Sequence, residues 1–207
     1  MIDDHLEAWD RDYSARGNLF GGTPSRLPDL AAGTLVLELG CGNGKSLHAM
    51  ETKGWSVVAV DYASRALRMC RERFCSAPDF RLVRADARNL PFRDNTFDVS
   101  FATHIAGHLL SGERIALAEE ITRVTKPGGA LYFRDFGTGD FRCGKGALIE
   151  DRTFRRGSGS ITHYFSDEEV LALFSGFRRI SVSRECWSMR VRGRDYRREE
   201  VTGIFEK

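Results

Sequence analysis

One stretch constrains this chain more than any other: Glu38-Leu39-Gly40-Cys41-Gly42-Asn43-Gly44. It follows a short apolar run, Thr34 to Leu39, and precedes a helix-like segment over 45–53 that Gly54 ends. Glycines between a strand and a helix let the backbone turn sharply and approach a ligand closely. The spacing is G-x-G-x-G, not the G-x-G-x-x-G of dinucleotide-binding loops. Glu38 adds a carboxylate two residues before the first glycine. That charge repels a pyrophosphate and attracts a cation. The loop therefore suits a positively charged nucleoside ligand better than a dinucleotide.

The chain then alternates between strand and helix patterns. Strands are expected at 56–60, 80–83, 97–102 and 130–133, and helices at 64–76 and 113–125. The last of these carries Ile115, Leu117, Ala118, Ile121 and Val124 as its apolar face and is stopped by Pro127-Gly128-Gly129. Such alternation implies parallel strands with crossover helices. The tail differs: Ser166 is an expected N-cap with acidic residues in the first turn behind it, and 178–186 and 198–206 read as a closing antiparallel hairpin. The expected fold is a doubly wound, mostly parallel seven-stranded α/β sheet with an antiparallel C-terminal edge hairpin. It reads as a single domain over 1–207, with a lead-in or lid at 1–30 and a substrate-side insertion at 137–165.

Acidic residues recur at the expected carboxyl edge. Asp61 ends the second strand, where an acid can accept from both ribose hydroxyls. Asp86 follows the third strand and Thr103-His104 the fourth. Trp9, Tyr13 and Phe20 either cover this edge or pack on the sheet. His104 and His108 are spaced as metal ligands would be on a helix, but no third ligand accompanies them. No metal is expected, and His104 is expected to face a substrate.

Composition excludes other classes. Hydrophobic residues are 42% and charged residues 29% of 207, as in ordinary globular chains. No apolar run reaches the length of a membrane span, and the acidic, mixed N-terminus does not read as a secretory signal. Five cysteines without a Cys-x-x-Cys pair suit reduced thiols, so a cytoplasmic protein is expected. Net charge is only +2, yet 178–198 holds eight arginines against Glu185 and Asp195. That stretch is either a phosphate-binding surface or a solvated strand face.

Residues 33–136 resemble the class I S-adenosylmethionine-dependent methyltransferases. The resemblance rests on Glu38-x-Gly40-x-Gly42-x-Gly44, Asp61, Asp86, Leu90-Pro91-Phe92 with Phe97-Asp98, and Lys126-Pro127-Gly128-Gly129. It implies a Rossmann-like methyltransferase fold and S-adenosyl-L-methionine as cofactor. Glu38, Gly40, Cys41, Gly42, Asn43 and Gly44 would hold the methionine part, Asp61 the ribose, and Asp86 with Ala87 the adenine. Tyr62 and Thr103 would complete the cofactor-binding set.

The ends of the chain are similar to the tRNA 3-methylcytidine methyltransferases. Trp9-Asp10-Arg11-Asp12-Tyr13 with Asn18-Leu19-Phe20, Phe133-Arg134-Asp135-Phe136-Gly137 with Asp140, and the stretch from Phe154-Arg155-Arg156-Gly157 to Tyr164-Phe165-Ser166 carry this similarity. It implies N3 of cytidine in tRNA as acceptor, with tRNA and a protein partner as binding partners. Asp135, Arg134 and His104 become the expected catalytic residues. Arg155 and Arg156 would clamp phosphates, and Tyr164 or Phe165 would stack on a flipped base. The alternatives are a small-molecule or protein methyltransferase, or a non-catalytic cofactor-binding subunit of a modification complex.

Overall fold

The computed structural model describes residues 4–16, 27–77, 79–157 and 159–207. The lead-in contains a helix, α1 (Asp4–Arg16), which sequence patterning does not reveal. Phe20, expected beside Trp9 and Tyr13, lies outside the described residues. The strand–helix alternation then runs β1 (Leu35–Leu39), α2 (Lys45–Met50), β2 (Ser56–Asp61), α3 (Ser64–Arg73), β3 (Phe80–Arg84), β4 (Phe97–Thr103), α4 (Ser111–Val124) and β5 (Thr125–Phe136). After it come three short strands, β6 (Ala147–Glu150), β7 (Thr153–Arg155) and β8 (Ile161–His163), and then α5 (Asp167–Leu173), β9 (Arg178–Val191) and β10 (Arg194–Glu206).

The main sheet has seven strands in the order β3-β2-β1-β4-β5-β10-β9. The first five pair in parallel, and β10 pairs antiparallel with both β5 and β9. This is the expected mostly parallel sheet with its antiparallel hairpin at one edge. Strand order reverses between β1 and β4, and ligands bind at such a switch point, outside the carboxyl ends of the strands.

Residue choice explains the layers. β1 reads Leu-Val-Leu-Glu-Leu and is buried along almost its whole length, as a central strand covered on both faces must be. On α4, Leu117, Ala118, Ile121 and Val124 face the core. Ile115 does not share that face. It is 53% exposed, because two residues of helix separate it from Leu117 by about 200° of rotation. Arg114 is buried instead: it donates to Leu109 O and lies within ion-pair distance of Glu150 and Glu169.

Boundaries shift where local chemistry was decisive. Ser166 caps α5 as expected, its Oγ accepting from Glu169 N at 3.2 Å. The hairpin is longer than expected. Its strands run to Val191 and from Arg194, joined by Arg192-Gly193, both at positive φ. Such two-residue loops match the twist of the flanking strands. The segment 137–165, expected as a substrate-side insertion, contains its own three-stranded sheet, β6-β7-β8.

Candidate active site

The glycine loop crosses the carboxyl end of β1. Gly42 has φ 53° and Gly44 φ 84°, in the left-handed region that glycine adopts at little cost. Space is as tight as conformation. A Cβ on Gly42 would sit 2.5 Å from the Tyr13 hydroxyl, and one on Gly44 2.5 Å from the Phe74 ring. Asp61, at the end of β2, holds the loop in place. It accepts from Gly42 N at 2.7 Å through Oδ2 and from Ala63 N at 2.8 Å through Oδ1. Burial raises its pKa to about 6, although these bonds favour the carboxylate.

Glu38 is 1% exposed, and its Oε2 has no hydrogen-bond partner. Burial pushes its pKa up to about 8, with Ser46 opposing the shift. A buried carboxyl oxygen without a donor is costly. A cationic group with N–H donors would satisfy it. The amino-acid end of S-adenosylmethionine is such a group, so the residues present fit that cofactor.

The other expected cofactor residues lie around the same edge. Cys41 and Asn43 are buried in the loop, and Ala87 is buried behind it. Thr103 ends β4. Tyr62 follows Asp61 and has Arg84 over its ring at 5.8 Å. The Asp86 carboxylate already accepts from Arg88, at 2.6 Å from Nη2, and Arg88 also reaches Glu113.

α1 lies across this edge. Asp10 accepts from Arg65 N at 2.9 Å at the start of α3, the Tyr13 hydroxyl abuts Gly42, and the Trp9 ring packs 4.4 Å from His108. His108 does not share a helix with His104. It belongs to a short 3₁₀ turn over Ala106–His108, with Nδ1 2.8 Å from Ile161 O.

His104 stands at the end of β4 with φ 53°. A non-glycine residue in that conformation is uncommon and marks a constrained position. Its Nε2 lies 3.0 Å from Glu200 Oε1 and its Nδ1 3.6 Å from Asp135 Oδ1. Burial works against its charge, but the two carboxylates more than offset this and raise its pKa to about 9. Asp135 is fully buried and accepts from Gly107 N at 2.7 Å and Phe136 N at 2.9 Å. Despite burial, His104 holds both Asp135 and Glu200 below the usual carboxylate range. Arg134 points to Glu200 and Glu185, each at 3.1 Å.

Glu200 is not singled out by sequence. It sits on β10, far along the chain, and only strand pairing brings it to β5. Tyr164 and Phe165 are both fully buried. Tyr164 accepts from Arg156 and packs near Phe136 and Phe154, and Phe165 packs edge-on to Phe133. Neither ring presents a face to a base in this arrangement. The aromatic pair has the sequence of a stacking platform and the burial of core. Arg155 is exposed on β7.

Fold and glycine loop together define the class of the core: it is a domain of the class I S-adenosylmethionine-dependent methyltransferase type. Residues 37–133 match the family model described as a methyltransferase domain. A demethylmenaquinone methyltransferase of Paenarthrobacter aurescens is 39% identical over 108 residues, covering 52% of this chain and 41% of that protein. A tRNA N(3)-methylcytidine methyltransferase of Drosophila melanogaster is 28% identical over 196 residues, covering 81% of this chain and 59% of that protein. The chain thus spans about half the length of the curated relatives it matches. Among solved structures, a SAM-dependent methyltransferase of Methanosarcina mazei superposes with a TM-score of 0.71 at 24% identity, covering 86% of this chain and 94% of that one.

Proposed function

We propose that the protein transfers the methyl group of S-adenosylmethionine to N3 of cytidine in tRNA. The observation that carries this choice is the place of His104 between two carboxylates, with Glu200 Oε1 3.0 Å from Nε2 and Asp135 Oδ1 3.6 Å from Nδ1, which favours the protonated ring. With its pKa at about 9 it is protonated at neutral pH and has no lone pair with which to take a proton. Cytidine N3 carries a free lone pair and no proton, so attack from it needs no base at that position. A hydroxyl or an acidic carbon would need one.

The cofactor, when bound, supplies an already activated sulfonium methyl. The chain's own residues bind, orient and exclude water. Glu38 would hold the cationic amino-acid end, and Asp61, which fixes the loop, would hold the ribose. Trp9 and Tyr13 cover the edge. Methylation at N3 leaves a positive charge on the ring, and Asp135 and Glu200 place negative charge where it develops. Arg155 contributes a phosphate contact from its exposed position.

The extent of similarity supports this substrate. The catalytic core is shared by methyltransferases of many substrates. Demethylmenaquinone enzymes match over 52% to 67% of the chain and the tRNA enzymes over 67% to 81%, and at 81% the Drosophila match takes in the substrate side. The higher identity of the former favours a small-molecule acceptor as the second reading.

Labelled S-adenosylmethionine incubated with total tRNA, followed by mass spectrometry of nucleosides, tests the proposal. The expected product is 3-methylcytidine. No label in tRNA, with label transferred to demethylmenaquinone added in its reduced form, would establish the second reading.

A further inference from the structure

Positive charge on this molecule is distributed differently from what its sequence suggests. Of the eight arginines between 178 and 198, five are ion-paired: Arg178 with Glu206, Arg184 with Asp167 and Glu199, Arg190 with Asp195, Arg197 with Glu199 and Arg198 with Asp140. Their charge is largely spent within the fold. The opposite edge of the sheet differs. Helix α3 and strand β3 carry six arginines, at 65, 68, 71, 73, 81 and 84, against the single Glu72. Among the described residues none of the six guanidinium groups is ion-paired with a carboxylate, although Asp10 accepts from the Arg65 backbone N–H. Arg73 and Arg84 donate to backbone carbonyls, of Asn43 and Tyr62, and Arg65 Nε is buried without a partner.

Three of the six converge. Ser64, Leu67, Arg68 and Arg71 share one face of α3, and together with Arg84 they line an open cleft of about 240 Å³. Arg68, Arg71 and Arg84 are all exposed. Like charges at neighbouring helical positions destabilise an isolated helix. An anion that bridges them reverses the sign. Guanidinium forks match phosphate oxygens in geometry as well as charge; the Ser64 hydroxyl is already engaged with Asp10, so the arginines carry the site. Edge protection accounts for arginine on β3, which is an outermost strand. It does not account for Arg68 and Arg71, which lie on the helix.

We propose that the α3–β3 edge is a phosphate-binding face that takes the backbone of the RNA substrate, with Arg68, Arg71 and Arg84 as its centre. The inference rests on the RNA reading above and places the contact. Ser64 is three residues beyond Asp61, so the face adjoins the ribose end of the cofactor site. RNA held there would extend from the acceptor site across the start of α3 towards the β3 edge.

The test compares two variants of the full chain: Arg68→Gln/Arg71→Gln/Arg84→Gln, and Arg192→Gln/Arg194→Gln at the hairpin tip. Binding of tRNA is followed by fluorescence anisotropy from low to moderate salt, and cofactor binding by calorimetry confirms folding. Removing one arginine–phosphate pair lowers the salt slope by roughly 0.7–0.9. The triple variant should therefore lose roughly two to three units of slope and at least tenfold in affinity at low salt, and the hairpin variant much less. A triple variant that binds tRNA as the wild type does, with the same slope, overturns the α3–β3 assignment and leaves the substrate reading intact. A wild type with no salt-dependent affinity for tRNA overturns both. If the triple variant has lost cofactor binding, Arg71→Gln alone, on the solvent side of α3, is measured in the same way and judged by the same slope, with a loss of about one unit expected.

Discussion

His104 Nε2 lies 3.0 Å from Glu200 Oε1, joining the end of β4 to β10 at the carboxyl edge of the sheet. Asp135 approaches the other ring nitrogen, at 3.6 Å. An imidazole between two carboxylates is held as a cation, so this arrangement supplies orientation and charge rather than proton abstraction.

Replacing Glu200 by Gln removes one of those charges. The His104 pKa should fall from about 9 towards its ordinary 6.5. Titration of the ring protons by NMR measures it directly. A raised histidine pKa contributes stability that is fully present below 6.5 and lost as pH rises through about 9. The wild type should therefore lose melting temperature across that window, and the variant should lose less. An unchanged titration would show that Asp135 alone holds the proton.

Asp135→Asn should lower turnover on tRNA by tenfold or more while cofactor affinity changes little. The loss falls on the charge that develops during transfer, not on ground-state binding. Single-turnover rates at saturating cofactor, set beside calorimetric affinities, separate the two. Equal losses in both would mean that Asp135 only shapes the site.

Glu38 gives an opposite pair of pH effects in free and bound protein. Its pKa is raised from 4.5 to about 8, so its contribution to the free protein is greatest below 4.5 and is lost as pH rises through about 8. A bound cation favours the carboxylate, so cofactor affinity should rise over the upper part of that range. Glu38→Gln should flatten both profiles and cost about tenfold to hundredfold in affinity, from loss of a charged hydrogen bond. Melting curves and calorimetry at several pH values supply the readout.

Asp61→Ala removes the acceptor of Gly42 N and Ala63 N. Two backbone donors then lose their partner, at about 1–3 kcal/mol each if they stay buried. Cofactor affinity should fall with stability, and Asp61→Asn should restore part of the stability. In the wild type, cofactor affinity should also weaken as pH drops through about 6, where Asp61 takes up its proton. An Asp61→Ala protein with undiminished affinity would contradict the ribose assignment.

The Asp140–Arg198 pair is a test of the substrate side. Arg198 Nε donates to Asp140 Oδ2 at 2.7 Å, both residues are buried, and the guanidinium also lies over the Phe136 and Trp187 rings. Arg198→Met should cost about 1–3 kcal/mol, because the buried Asp140 carboxylate loses one of its two arginine partners and keeps Arg142 Nε at 2.9 Å. Adding Asp140→Asn should recover part of that. Chemical denaturation of the single and double variants reads the coupling.

Local chemistry along the chain settles those parts of the protein that depend on a few neighbouring residues. The glycine loop, Asp61 at a strand end, the Ser166 cap and the alternation of apolar runs each follow from chemistry within a few residues. So the strand–helix alternation, the class of fold and the antiparallel edge hairpin were legible. α1 was not, because a polar segment with few apolar residues shows helical period only weakly. The burial of Tyr164 and Phe165 was not, because an aromatic pair reads alike on a surface and in a core. Tertiary structure alone decided which charges meet. Glu200 reaches His104, and Asp140 reaches Arg198, only because β10 inserts between β5 and β9. The same pairing neutralises most of the C-terminal arginines and leaves those of α3 and β3 open. Coulomb interactions depend on distance in space, and strand insertion sets those distances without leaving a local mark in the chain.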